Sequence, residues 1–426
     1  MTAANPAAPT ATATPPPLAG VRVIEIGTFI SAPFAATLLA DFGADVVKLE
    51  LPGEGDPMRT LGAYPPGGDS SYWWRNMGRN KRSVALDVRS AEGRDLLGHL
   101  LQSADILIEN FRPGTLARWG ITPDWLKQQR SDLIVVHISG YGQDGPWRDV
   151  PGFDRSAQAF SGLVHVTGEP DSPPQQAGLP VCDFSAGLWA AFGAAMAMIG
   201  RLRHPGSGGN EVDLALYETM LPFLKDMPQR WRHQGRITER TGNTPDYVAP
   251  GGAYLTGSGA WIFISGTGDR VFLRLMDAIG RADLRDAPTL QHNTDRVAQR
   301  PLIDAAINAW LQPRSADAAV QALMAADVPA VKIHNIADLM QHPQVLARGN
   351  FVDIADHDRG DVCLTAPVPR LAQGPGAIRW VGQDLGESTL AVLQGELKLS
   401  DAQIAGLRER GIIGGPAAPA TPGALA

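Results

Sequence analysis

One carboxylate stands out by its setting. Asp183 lies in the stretch Gly178-Leu179-Pro180-Val181-Cys182-Asp183-Phe184-Ser185-Ala186-Gly187, between an apolar entry and a run of small residues. Residues 188–200 are Ala-rich and apolar and predict a helix. Aspartate is a favoured N-cap, so the pattern predicts Asp183 at the start of that helix. Free backbone N–H groups and the positive dipole end favour a carboxylate there. Such a setting is expected to keep the group ionised, as a nucleophile requires. Plain capping is the commoner role, and the residues alone leave both open. The adjacent thiol of Cys182 is a second nucleophile by type. Neighbours in an extended entry point to opposite faces, which turns Cys182 toward the core.

Two further clusters have the chemistry to grip an anionic, partly flat ligand. Tyr72-Trp73-Trp74-Arg75-Asn76-Met77-Gly78-Arg79-Asn80-Lys81-Arg82-Ser83 interleaves cations with aromatics. Arginine can hold phosphate bidentately and lysine adds a point charge; a solvated basic loop explains the same residues equally well. Glu109-Asn110-Phe111-Arg112-Pro113-Gly114 supplies a ring for packing on a base, with Arg112 and Arg118 for phosphates. Phe111 reads as readily as ordinary packing beside a turn.

The elements that must position these groups alternate. Residues 21–26 predict a strand, 32–42 a helix and 45–49 a second strand, which is a βαβ unit. Further strands are expected at 83–88, 105–108 and 133–138, with helices at 91–102 and 123–129. Phe111 and the turn Ser139-Gly140-Tyr141-Gly142 then fall at strand carboxyl ends, where open α/β sheets bind ligands. Neither a Gly-x-Gly-x-x-Gly fingerprint nor a Gly-Lys-Ser/Thr phosphate loop is present.

Composition narrows the class. The 426 residues suggest two domains, and 44% hydrophobic with 19% charged residues fits a globular enzyme with a sizeable core. A net charge of −7 argues against a nucleic-acid partner. Two cysteines, Cys182 and Cys363, give no disulfide framework and fit a reducing cytoplasm. No apolar run of membrane-spanning length and no metal-ligand spacing is seen.

Six motifs in this order resemble the class III CoA-transferases, the CaiB/BaiF family that includes formyl-CoA transferase. They are Phe42-Gly43-Ala44-Asp45-Val46-Val47-Lys48-Leu49-Glu50, Asn80-Lys81-Arg82-Ser83, Glu109-Asn110-Phe111-Arg112-Pro113-Gly114, Ser139-Gly140-Tyr141-Gly142, Gly152-Phe153-Asp154 and the Asp183 stretch. The resemblance spans residues 18–413. It implies an α/β fold: a Rossmann-like parallel sheet in a large domain, a smaller α+β domain, and a homodimer of interlocked rings. It also implies that Asp183 is the nucleophile, passing through aspartyl anhydride and aspartyl-CoA thioester states. A CoA thioester is then substrate, with no tightly bound cofactor, and a small carboxylic acid is its partner. Implied CoA contacts fall on Ile30, Ser31, Gly78, Arg79, Asn80, Lys81, Asn110, Phe111, Arg112, Arg118, Gly140 and Tyr141. A covering glycine loop falls on Gly251 and Gly252, where a plain hairpin lead-in is an equal reading.

Two departures bear on substrate. Formyl-CoA transferase carries Gln at the position of Ile30 and Arg at that of Leu51, so the formyl/oxalate pair is disfavoured here. Related 2-methylacyl-CoA racemases carry His where this chain has Phe153, which holds no proton; His137 and His165 are read as strand or core histidines. A racemase and a CoA-binding homologue without chemistry are the competing readings.

The expected organisation is a disordered leader at 1–19, a large CoA-binding domain at 20–224, a linker at 225–250, a small domain at 251–348, a return segment at 349–413 and a flexible tail at 414–426.

Overall fold

The structure, a computed structural model, describes residues 14–415. Residues 1–13 of the expected leader and 416–426 of the expected tail lie outside the described residues. Residues 14–19 are not loose: the Leu18 N–H donates to the Phe42 carbonyl, and Thr14 Oγ1 donates to Gln373. Gly414 is likewise tied by its N–H to the Ala85 carbonyl.

Six strands, β1 (Arg22–Glu25), β2 (Asp45–Glu50), β3 (Lys81–Ala85), β4 (Ile106–Glu109), β5 (Ile134–Ser139) and β6 (Asn210–Ala215), form one parallel sheet. Their order is β3-β2-β1-β4-β5-β6. Both sheet faces are covered, so Val23, Ile24, Val46, Val47, Leu107 and Val136 are fully buried, and the charged strand residues Glu25, Lys48, Glu50, Lys81 and Glu109 are buried with them. The connections carry α1 (Ser31–Asp41), α2 (Tyr72–Met77), α3 (Ala91–Leu101), α4 (Thr115–Arg118), α5 (Pro123–Gln129), α6 (Asp154–Phe160) and α7 (Val181–Arg203). Local chemistry starts several of them: Ser71, Ser90 and Thr122 each accept a backbone N–H as N-cap. The order of strands reverses between β1 and β4, the switch point where such sheets bind ligands.

The chain divides into two compact units. The first comprises the chain up to Ser161, Gly178–Leu224 and the part from Gly349 on; the second comprises Gly162–Ala177 and Lys225–Arg348. Residues 162–177, expected with the large domain, therefore belong to the second unit. Gly242 donates its N–H to the Gly168 carbonyl and Arg240 bonds the His165 carbonyl, which ties them there. The segment expected as a linker is also part of this unit and contains α8 (Met227–Gln234).

In the second unit, β7 (Gly251–Leu255), β8 (Trp261–Ser265) and β9 (Ala330–Lys332) form an antiparallel sheet. Helices α9 (Asp269–Ala278), α10 (Ala282–Arg285), α11 (Asn293–Ala298), α12 (Arg300–Leu311) and α13 (Ala316–Ala325) accompany it. Ile262, Ile264, Phe272, Leu275, Ile303, Ile307 and Leu323 make its core. Short helices α14 (Ile336–Gln341) and α15 (Pro343–Ala347) follow. The chain then returns to the first unit through the hairpin β10 (Phe351–Ala355) and β11 (Asp361–Thr365), and through α16 (Thr389–Leu393) and α17 (Asp401–Glu409).

Contrary to the apolar-run reading, one described helix, the 23-residue α7, has the length and composition to cross a membrane. Its alanines, Ala186, Ala190, Ala194 and Ala197, are buried, and α7 packs along α1. Its other side exposes Leu188, Phe192, Met196, Ile199 and Leu202.

Candidate active site

Asp183 is not the cap of α7. The helix starts two residues earlier, with Pro180 at the N-cap and no side-chain cap bond of its own. Asp183 sits in the first turn, and the capping carboxylate arrives from α6. Asp154 Oδ1 accepts the N–H groups of Cys182 at 2.8 Å and Asp183 at 3.1 Å. Asp154 is held in turn by Gln158 Nε2 at 2.5 Å from its Oδ2. A proline cannot cap by its side chain, so a distant residue satisfies the orphan donors instead. Among the described residues no donor reaches the half-buried Asp183 carboxyl.

That setting changes the electrostatics expected from the helix dipole. Burial, and then the negative charge of Asp154, push the Asp183 carboxyl up to about 7. The group is therefore not held firmly ionised; it titrates near neutrality. Cys182 is fully buried, and burial first, then Asp154 and Asp183, push its thiol up to about 12. A thiol so placed is neither accessible nor ionised.

The β1–α1 turn lies beside α7 because Gly187 permits it: a Cβ there would meet the Ser31 carbonyl at 2.7 Å. Phe34 and Phe184 meet edge to face at 5.0 Å, and Phe29 and Phe153 at 6.5 Å. Phe29 is in the left-handed region, with φ of 63°, a strained state that persists only where the surroundings enforce it. Here they do. Asn110 accepts the Thr28 N–H at 2.8 Å and donates to the Thr28 carbonyl at 2.7 Å and to Ser31 Oγ at 3.1 Å. Asp56 accepts the Phe29 N–H at 3.2 Å, and Lys48 Nζ donates to the Gly27 carbonyl at 2.6 Å. Asn110 thus bridges the switch point between β1 and β4.

Beside this turn, a cleft of about 270 Å³ opens over the carboxyl ends of β1 to β4. Gly27, Thr28, Leu51, Arg89, Phe111 and Trp119 are among its lining residues. Phe111 is fixed edge to face on Trp119 at 4.9 Å. Arg112 and Arg118 are exposed, and among the described residues neither forms an ion pair.

The cations of residues 72–83 are different from the ligand-gripping loop expected. Residues 72–77 are helical, and Arg75, Arg79 and Lys81 are buried. Arg79 pairs with Asp41 at 2.7 Å, Arg75 with Asp356 at 3.0 Å and Asp384 at 2.9 Å, and Lys81 with Glu25 at 2.8 Å. Asn80 bonds Asp41 at 2.9 Å and the Ala377 carbonyl at 2.8 Å. Gly78 packs against Gly382, with room for no Cβ at 2.9 Å. These side chains are engaged within the protein. Ile30 is buried too, clustered with Met58, Trp74 and Met77.

A family model described as CoA-transferase family III matches residues 18–389. The chain belongs to this family. It is 37% identical over 400 residues to a succinyl-CoA–D-citramalate CoA-transferase of Chloroflexus aurantiacus, covering 94% of this chain and 98% of that protein. A succinate–glutarate CoA-transferase of Agrobacterium fabrum is 33% identical over 80% of this chain and 86% of its own. A CaiB/BaiF family protein from Brucella suis has the same fold, with a TM-score of 0.79 at 30% identity over 89% of this chain and 99% of that one.

The remaining expected site residues of this family III CoA-transferase have local settings of their own. Gly140 packs on Gly152 so closely that a Cβ would meet the Gly152 Cα at 2.7 Å. Tyr141 joins an aromatic group with Trp147 at 5.1 Å and Phe160 at 5.3 Å. Gly251 and Gly252 belong to the second unit and open β7, paired with Ser265 and Ile264, so they are strand rather than loop. His137 bonds Glu109 at 2.6 Å, and His165 is an exposed residue of the second unit. Phe153 is 69% exposed and carries no proton. Sequence reasoning missed the role of Asp154, although it noted the Gly-Phe-Asp motif; no local pattern links that motif to the start of α7, 27 positions away in the chain.

Proposed function

We propose that this CoA-transferase moves CoA from succinyl-CoA to a small carboxylic acid, with Asp183 as the group that is acylated. The observation that carries the reading is the Asp183 carboxyl itself. It is half-buried in the first turn of α7, without an ion-pair partner among the described residues, and burial raises it toward neutrality. A raised carboxyl is a more basic and hence stronger nucleophile once ionised.

In the first step the Asp183 carboxylate attacks the thioester carbonyl and expels CoA thiolate, leaving a mixed anhydride. The thiolate attacks the aspartyl carbonyl, releasing the donor carboxylate and leaving an aspartyl-CoA thioester. The acceptor carboxylate then displaces the thiolate to form a second anhydride. Attack of the thiolate on the acceptor carbonyl gives the product thioester and frees Asp183. Each step passes one tetrahedral oxyanion, which needs N–H donors aimed at it.

The nucleotide end of CoA is assigned to the cleft over β1 to β4. Phe111 offers a ring for the base, and Arg112 and Arg118 are cations not committed to internal ion pairs. Leu51 in its wall offers no charge. Succinyl-CoA as donor rests on the names of the Chloroflexus and Agrobacterium relatives, whose other substrates are also small carboxylic acids. The exposed apolar side of α7 is proposed to be covered by a second copy of the chain, and a monomeric mass in solution would exclude this.

The test is to incubate the protein with succinyl-CoA and a panel of mono- and dicarboxylic acids and to follow new thioesters by mass. Transfer that is lost in Asp183→Ala, with hydroxylamine modification mapping to Asp183 during turnover, is the expected result. Transfer retained by Asp183→Ala, or modification on Cys182, overturns it.

A further inference from the structure

We propose that Asp154 is a positioning residue of the transfer reaction, holding the first turn of α7 through the Cys182 and Asp183 N–H groups and placing a fixed negative charge against Asp183. This rests on the reading of Asp183 as the acylated group.

Two observations carry it. The first is geometric: a single oxygen, Oδ1, accepts both N–H groups, at 2.8 and 3.1 Å, while Gln158 fixes the other oxygen at 2.5 Å. Asp154 is itself buried, so this clamp is not loosened by water. The second is electrostatic. Elements packed against α7 are α1, α6, β5, β6 and the 3-10 segment Leu216–Leu224. Their ionisable groups are Asp41, paired with Arg79; His137, paired with Glu109; Glu211 and Asp213 on β6; Tyr217 and Glu218; and Asp154 with the exposed Arg155. Near Asp183 on its own helix lies the neutral Cys182 thiol; Arg201 and Arg203 are at the far end. Of all these, Asp154 is the charge felt by Asp183.

A like charge fixed beside a carboxylate favours whichever state removes the second charge. Acylation is such a state: the Asp183 oxygen forms a bond to the acyl carbon, the C–S bond breaks, and the negative charge leaves on sulfur. Asp154 therefore favours the anhydride and thioester states over the resting pair of carboxylates. A merely structural cap would do no such thing.

The experiment compares Asp154→Asn and Asp154→Ser with the parent enzyme in succinyl-CoA-dependent transfer from pH 5 to 9. Both substitutes can accept N–H groups at a helix start but carry no charge. The rising limb of kcat/KM is expected about one pH unit lower in Asp154→Asn, with less hydroxylamine-trappable aspartyl-CoA at the plateau. Superimposable pH profiles and unchanged trapping overturn the proposal. Loss of folding in both variants, read by thermal melting, also overturns it, since the charge would then be a structural requirement. Asp183→Ala is run alongside: if it retains transfer, the nucleophile assignment fails. If Asp183→Ala is inactive while Asp154→Asn matches the parent, the Asp154 proposal alone fails.

Discussion

Replacing Asp183 with Asn is expected to stabilise the protein while abolishing transfer, and the gain is expected to grow with pH. The carboxyl is raised from 3.8 to about 7, by burial first and by Asp154 second. A group whose folded value is raised gives its full contribution below the unfolded value, when both states are protonated. That contribution is lost as pH rises through the folded value. At 1.36 kcal/mol per unit, about three units would destabilise the ionised folded form by roughly 4 kcal/mol. Solvent reaches Asp183 in part, so screening reduces this to about 2 kcal/mol. The cost is near zero at pH 3 and about a third of its full value at pH 5; it is complete by about pH 8. Asparagine has the same shape and no charge, and it lacks the cost at every pH. The assay is thermal or urea unfolding of Asp183→Asn and parent at pH 5 and pH 8. The variant should gain about 2 °C in Tm at pH 8 and distinctly less at pH 5. Parallel pH profiles for the two proteins would show that Asp183 is an ordinary carboxylate, and the electrostatic account of the site would be wrong. A buried carboxyl kept at a cost in stability fits the common trade between folding and activity.

Three further outcomes separate site from scaffold. Arg112→Ala and Arg118→Ala, at exposed residues, should raise KM for the CoA substrate about tenfold in a salt-dependent way with Tm nearly unchanged; Arg79→Ala should instead cost about 3–5 kcal/mol by stranding the buried Asp41, seen in denaturant unfolding. Cys182→Ala should keep most transfer activity, because its thiol is fully buried and pushed up to about 12, by burial first; loss of activity with folding intact would return the thiol to the mechanism. Gly140→Ala places a Cβ 2.7 Å from the Gly152 Cα, so it should cost about 1–3 kcal/mol and lower kcat by moving α6, read by melting and steady-state rates.

Much of the first unit was legible because its signals are local. Apolar runs at 21–26, 45–49, 105–108 and 133–138, separated by helical patterns, specify a parallel sheet, and the structure has those strands with ends shifted by a residue or two. What could not be read were partners distant in the chain. Tyr72–Met77 has a Ser71 cap and is helical, but its cations look like ligand groups until Asp356 and Asp384 appear some 300 residues later. Lys81 looks like a phosphate cation until Glu25 is placed under it. Residues 162–177 carry no local mark that they pair with residues near 240 rather than with the sheet.

The same distinction explains how the site is built. The turn beside Asp183 is strained at Phe29 and tight at Gly27, where a Cβ would meet Asn110 Oδ1 at 2.8 Å, and long-range polar groups hold it. Asn110 comes from the end of β4, Asp56 from the loop after β2, and Lys48 from β2 itself. Lys48 is held above the ordinary lysine range against the lowering effect of burial, by Asp56, Glu25 and Glu50. With that much charge fixed beneath it, the turn cannot relax without exposing buried ions, which costs more than the strain it relieves. Asp183 faces the opposite design: one buried carboxylate holds its backbone, and among the described residues no cation offsets its charge. A floor of paired charges beside a carboxyl without an ion-pair partner among the described residues suits the covalent role proposed for Asp183, since the first would keep geometry through the proposed acyl transfers and the second would make each acylation a relief of repulsion.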